Sequence, residues 1–233
     1  MKKLRVLLYT VLLCFVMVTV AYATLVVRGT DSVGNQLIYD TDLDVTWYDY
    51  AKSFSNWYTQ KVWADTLTIN FEGNIYNDWR LPSTVDGVEF SHYKGPETDG
   101  SYTYTSGYNL YNSEMGHLFY IGLGNQGHLD TAGNYVGDGN WGLNNTDSFQ
   151  NLINCTYWSG TEFTYSGSRT YAWLFDFTNG TQSTTRDLYS MCTIAACHGD
   201  VAAPVPEPCT MLLLGIGIAG LGLYRRKRGR RQS

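Results

Sequence analysis

Two apolar runs stand at opposite ends of this chain, each with its basic residues on the outer side. Whatever folds in water must therefore lie between them. At the start, Lys2, Lys3 and Arg5 precede an almost unbroken apolar stretch from Val6 to Val20. Ala21-Tyr22-Ala23 then supplies the small residues at which signal peptidase cuts, so residues 1–23 read as a signal peptide, with a retained N-terminal anchor as the alternative. A lipoprotein reading of Val11-Leu12-Leu13-Cys14 fails because Leu13 is bulkier than the small residue needed before a lipidated Cys.

The other end has three parts in strict order: Pro206-Glu207-Pro208, the apolar run Cys209 to Tyr224, and the basic cluster Arg225 to Arg231. Sixteen positions at about 1.5 Å each give a helix of roughly 24 Å, short of the ~30 Å hydrocarbon core. Snorkelling Arg side chains and local thinning of the bilayer would let it sit there, with the basic end held on the cytoplasmic side. This arrangement resembles the PEP-CTERM sorting signal. The resemblance implies that the precursor is held in the inner membrane and that an exosortase, an integral-membrane cysteine protease, removes the tail near Pro206, Glu207 and Pro208. The body is then released to the cell surface or extracellular matrix of a Gram-negative bacterium that makes exopolysaccharide. A permanent single-pass anchor is the alternative.

With both ends removed, seven of the 16 Lys and Arg face 20 of the 21 Asp and Glu, so the body carries −13 against −5 for the whole chain. A field of that sign repels phosphate backbones, which excludes a nucleic-acid partner. Only 16% of residues are charged, against a typical quarter, and the deficit is filled by 19 Tyr, 24 Gly, Asn and Thr. Such a polar, weakly charged surface fits an exported protein. The body's cysteines are Cys155, Cys192 and Cys197, which predict one disulfide and one leftover thiol in an oxidising compartment. Pairing of Cys155 with Cys192 or Cys197 closes a longer loop than Cys192 with Cys197, and the spacing leaves all three open. It matches no zinc pattern.

Residues 24–203 read as one domain without linker or repeat, between a signal peptide at 1–23 and a sorting signal at 204–233. Leu37–Asp40 and Asp42–Trp47 predict two short strands around an acidic turn. Trp57 to Thr68 predicts a first helix, with Val62, Trp63, Thr66 and Leu67 on one face. Pro82 forbids a helix through Asn77–Ser83. Ser113 is placed to cap a second helix over Glu114 to Leu123, with Met115, Leu118, Phe119, Gly122 and Leu123 inward. Long loops rich in Gly, Tyr and Asn occupy 95–112 and 124–147. Cys155–Gly160 and Tyr171–Phe177 read as strands, and Asn179-Gly180 as a hairpin signal. The expectation is an α+β fold with two helices, a small antiparallel sheet and long loops.

Five blocks of the body occur in the order seen in the Lcl C-terminal-like domain family. They are Asp44-Val45-Thr46-Trp47, Asp78-Trp79-Arg80-Leu81-Pro82-Ser83, Ser113 to Tyr120, Tyr157 to Glu162, and Ala172 to Phe175. The body resembles that family over roughly Gly34 to Asp200, including a closing Gly199-Asp200-Val201. The family is similar to the formylglycine-generating group and to C-type-lectin-like folds, so the resemblance implies a C-type-lectin-like fold. This chain departs from it at Ala195-Ala196-Cys197-His198, where the family commonly has an aromatic residue or Val followed by Arg. The formylglycine-generating relatives oxidise with a dedicated pair of cysteines, which the three cysteines here do not reproduce, so that activity is not carried over.

Catalytic signatures are weak. Gly122-x-Gly124-x-x-Gly127 follows a helical pattern and leads into a loop, and Gly215-x-Gly217-x-x-Gly220 lies in the apolar tail, so neither has the strand–turn–helix context of a dinucleotide site. A metal centre on His117 would require His128 and a carboxylate to converge on it. Asp40, Asp42 and Asp44 form the densest carboxylate cluster and are weak Ca²⁺ candidates, since alternate Asp residues on a strand share a face. No cofactor is required by any motif. Aromatics are the stronger clue. Tyr102, Tyr104, Tyr108 and Tyr111 crowd one loop and Trp141 sits in the next, a composition suited to stacking on sugar C–H groups. Trp47, Trp79, Trp158 and Trp173 read as core, and Arg80 as a structural hydrogen-bond donor. The leading expectation is an exported, exosortase-sorted, non-enzymatic surface or matrix protein that binds exopolysaccharide. The alternatives are a glycan-processing enzyme with a carboxylate pair and a purely structural surface protein whose loops carry attached sugars.

Overall fold

The computed structural model describes residues 25–50, 53–85, 106–163 and 170–201, which form a mixed α+β body. In chain order these are β1 (Leu25–Thr30), β2 (Gln36–Asp40), β3 (Val45–Asp49), α1 (Trp57–Asp65), β4 (Ile69–Phe71) and β5 (Asn74–Tyr76). Then follow α2 (Glu114–His117) with a π-helical turn at Leu118–Gly122, β6 (Thr156–Phe163), β7 (Tyr171–Asp176), β8 (Thr181–Arg186) and β9 (Ala195–His198). Where one small sheet was expected, three antiparallel sheets form: β1-β2-β3-β9, β6-β7-β8 and the β4-β5 hairpin.

The anticipated acidic turn joins β2 to β3. The Asp40 carboxylate accepts the Asp42 and Leu43 backbone N–H groups, and Asp44 takes a left-handed conformation that Asp tolerates. All five residues of β3 are buried, because its two faces serve two cores. Val45 and Trp47 enter a cluster with Ile38, Met115, Leu118, Phe119, Tyr157, Phe175 and Phe177. Tyr48 enters another with Leu37, Trp57, Trp79, Trp158, Leu174 and Cys197. The period-2 alternation of a strand thus sends neighbouring residues of β2, β3, β6, β7 and β9 into opposite clusters. Trp47, Trp79, Trp158 and Trp173 are all buried.

α1 is shorter than expected and rotated. Asn56 caps it through the Thr59 N–H, and the buried residues are Trp57, Gln60 and Ala64, whereas Val62 is exposed. Of the expected face, Trp63 and Leu67 pack against the second cluster while Val62 and Thr66 are exposed, because polar anchors turn the helix toward Trp57, Gln60 and Ala64. The Trp57 indole donates to the Ser159 carbonyl (2.7 Å) and the Gln60 amide to the Ser53 and Met191 carbonyls. Thr66 ends the helix by donating its hydroxyl to the Val62 carbonyl. α2 starts where predicted, with the Ser113 hydroxyl accepting the Gly116 N–H, but its α-helical part ends at His117 and the π turn over Leu118–Gly122 completes the predicted span, with Leu118 and Phe119 both in the core. Glu114 grips the Arg80 guanidinium with two bonds (2.7 and 2.6 Å) and also accepts the Ser83 N–H (2.7 Å), fastening the Trp79–Ser83 block to the helix.

Cys155 and Cys192 form the disulfide, 37 residues apart, and Cys197 is the buried free thiol. The body closes on itself. Arg28 on β1 holds Asp200 with two bonds (2.9 and 2.5 Å), and Tyr76 donates to the Val201 carbonyl.

Candidate functional site

The second Gly- and Asn-rich loop folds into a short ribbon by backbone pairing at three levels. The Gly142 N–H donates to the Gln126 carbonyl, the Val136 N–H to the His128 carbonyl, and the Asp130 N–H to the Asn134 carbonyl. Asp130 closes the tip, its carboxylate accepting the Ala132 and Asn134 N–H groups, and these bonds hold its carboxyl below the usual range. The base is fixed by amides. The Asn125 side chain accepts from the Asn144 and Asn145 backbone and donates to the Asn145 carbonyl, while the Asn145 side chain donates to the Leu123 carbonyl. The ribbon is tied to the β7–β8 turn by the His128 N–H on the Asn179 carbonyl (2.8 Å). Beneath it the buried Tyr120 hydroxyl accepts the Asn109 N–H and donates to the Gly180 carbonyl. Burial raises the Tyr120 phenol far above its ordinary value, so it stays protonated as a donor.

This architecture gathers rings from two loops around one imidazole. The His128 ring lies 4.7 Å from Trp141 at 65°, 4.8 Å from Tyr135 and 6.2 Å from Tyr108. The Trp141 indole N–H donates to the Tyr135 hydroxyl (3.3 Å), which in turn donates to Asp138. That bond to Asp138 raises the Tyr135 phenol above its usual value. Tyr135 is exposed; Tyr108 and Trp141 are half-buried. Beside the ribbon runs a cavity of about 350 Å³ lined by Gln126, Val136, Asn140 and Asn144 among others. A second cavity, of about 250 Å³, shares Asn125, Gln126 and Val136 with it and extends to Asp130 and Thr131. The larger lies at the lower end of ligand-pocket volumes, roughly 300–1,000 Å³.

Of the predicted aromatic set, Tyr108 and Trp141 therefore converge on His128. Tyr111 instead meets the edge of Tyr120 (6.4 Å), and Tyr102 and Tyr104 lie outside the described residues. Sequence reading passed over Tyr135 and weighed His128 only as a metal ligand. The signal available for both was their position flanking the Asp130–Asn134 turn, where the ribbon pairs Leu129 with Tyr135 and Val136 with His128 and so makes His128 and Tyr135 diagonal neighbours.

The acidic turn is arranged differently. Asp40 and Asp42 lie 3.9 and 3.7 Å from the two nitrogens of His117, whereas Asp44 accepts the Tyr39 hydroxyl and lies 3.7 Å from His198. Among the described residues no group of three or more His, Cys, Asp or Glu is placed to hold a metal ion. Cys197 is buried, and burial pushes its thiol up to about 12, so it is protonated and poorly nucleophilic. His198, its sequence neighbour, is exposed on the opposite face of β9.

The comparisons with known proteins bear on the C-terminal segment. Residues 204–228 match the PEP-CTERM protein-sorting motif. A chain carrying this motif is an exported protein, made as a membrane-anchored precursor and processed by an exosortase. No curated protein and no solved structure gives a significant match, and neither comparison supports the expected Lcl C-terminal-like or C-type-lectin-like assignment of the body. Among the described residues no helix is long and apolar enough to cross a membrane; Pro206, Glu207, Pro208 and the run after them lie outside those residues.

Proposed function

We propose that the processed body is a non-enzymatic protein of the cell surface or extracellular matrix that binds exopolysaccharide at the Tyr108–His128–Tyr135–Trp141 cluster. The observation that carries this reading is the convergence of three aromatic rings from two loops on one imidazole, beside an amide-lined cavity. Rings offer flat faces to the C–H groups of a sugar, and amides bond its hydroxyls without charge. Ribbon and amide bonds hold the rings in place before a ligand arrives, which lowers the ordering cost of binding.

The test is titration calorimetry of the full chain, in a polyoxyethylene detergent that carries no sugar, against exopolysaccharide from the producing cells. Binding is expected, and Trp141→Ala should weaken it about fivefold or more. No heat from folded protein, with this polymer or any other glycan offered, would overturn the reading. Heat lost on adding a chelator would move the site to the Ca²⁺ candidates Asp40, Asp42 and Asp44. Release of new reducing ends would overturn the non-enzymatic part.

A further inference from the structure

We infer that the ring cluster selects uncharged or amine-bearing polysaccharides and rejects those rich in carboxylate or sulfate; this rests on the glycan-binding reading above. Every residue from Gly95 to Ser168 is something other than Lys or Arg, while the same stretch holds seven Asp and Glu. Tyr108, His128, Tyr135 and Trp141 all fall within it, as do all the residues lining both cavities.

The carboxylates are placed where a ligand would approach. Asp138 accepts the Tyr135 hydroxyl at the edge of the rings, and Asp130 lines the smaller cavity. Asp176 stands in the turn whose Asn179 carbonyl anchors His128, its own carboxylate bonded to the Thr178 N–H.

Compensating cations are remote or engaged. Among the described residues, Arg28 is held by Asp200, Lys61 lies 3.7 Å from Asp65, and Arg80 is gripped by Glu114. Arg186 ends β8 five residues beyond Thr181, roughly 17 Å along the strand from the turn; that is about two Debye lengths at 0.15 M salt and within one at 10 mM, where it is a single cation set against Asp130, Asp138 and Asp176. A uronate or sulfate on the rings would thus meet fixed negative charge with no unengaged arginine or lysine beside it among the described residues. Neutral hydroxyls would meet Gln126, Asn140 and Asn144, and a glucosamine ammonium would be drawn to Asp130 and Asp138.

The experiment compares the full chain, in the same detergent at 10 mM salt, against dextran, laminarin, mannan, alginate and hyaluronan at pH 8, and against chitosan oligomers with dextran as reference at pH 6, where the glucosamine amines are protonated. At least one neutral or amine-bearing polymer should bind ten times more tightly than either anionic one, and weak anionic binding should strengthen as salt rises. Asp138→Lys reverses one charge; for a sugar carboxylate at a separation of about 7 Å, alginate binding should improve about fivefold at 10 mM salt and about twofold at 0.15 M. Alginate or hyaluronan binding as tightly as the neutral polymers, and weakening with salt, would overturn this inference while leaving glycan binding intact. Failure of all six polymers and of the cells' own exopolysaccharide would overturn both.

Discussion

Opening the Cys155–Cys192 bridge is the perturbation whose size follows most directly from the structure. The bond joins the residue before β6 to the segment before β9 across 37 residues, enclosing the whole β6-β7-β8 sheet. Closing a loop of that length lowers the entropy of the unfolded chain by an amount worth about 3.8 kcal/mol at 25 °C. Both cysteines are buried, so replacing them also removes packing, adding about 1 kcal/mol. The double variant Cys155→Ala/Cys192→Ala should therefore lose about 4–5 kcal/mol, which for a body of this size is a fall in Tm of roughly 8–20 °C. Urea unfolding separates the two contributions. A more expanded unfolded state raises the m-value, whereas lost packing lowers the midpoint at constant m. Dithiothreitol on the unaltered protein should reproduce the larger, entropic share alone. A loss below about 1 kcal/mol with unchanged m would refute the reasoning, because the loop would then be ordered by contacts that do not need the bond.

Glu114→Ala removes three hydrogen bonds and strands the Arg80 guanidinium, and should cost about 2–4 kcal/mol in urea unfolding, with Glu114→Gln costing less. Asp31 is partly desolvated, which raises its carboxyl, but bonds from Tyr48, Asn35 and Val33 outweigh that and hold it below 3.8. The stability it contributes is fully present above pH 3.8 and is lost as pH falls through the lower folded value. The difference between wild type and Asp31→Asn should accordingly shrink below about pH 4 in acid titrations followed by circular dichroism. Gly180 has φ +80°, and a Cβ there would meet the Tyr120 hydroxyl at 2.6 Å and the Gly127 Cα at 2.8 Å. Gly180→Ala should cost about 2 kcal/mol or more and weaken glycan binding as well, since it pries the ribbon from the β7–β8 turn.

Elements whose signals are local were legible in the sequence. The acidic turn between β2 and β3, the Ser113 cap with its apolar face, and the Asn179-Gly180 hairpin each follow from a few adjacent residues. Those that depend on distant partners were not. Ala195–His198 has little intrinsic strand preference, and it becomes β9 because Thr46 and Tyr48 on one side and Arg80 on the other supply its hydrogen bonds. The rotation of α1 is set by carbonyls at Ser53, Ser159 and Met191 that no helical periodicity reveals. The ring cluster was half visible. Composition pointed to Tyr108 and Trp141, but His128 and Tyr135 join them only through the register of the ribbon, which backbone pairing at Gln126–Gly142 establishes.

The clasp between Arg28 and Asp200 has a mechanical consequence. Chain entry and chain exit are held within the span of one arginine side chain, and Tyr76 adds a second stitch at Val201. Tension applied to the C-terminal segment while it is still attached would be taken first by this clasp and by the Thr46 hydroxyl bonded to Gly199. The second apolar cluster would share the load from the start through its member Val201, while the first would stay unloaded until those bonds gave way. The body thus has a built-in strain relief, and the order in which it yields under force would be clasp first, β9 second and the disulfide-enclosed sheet last.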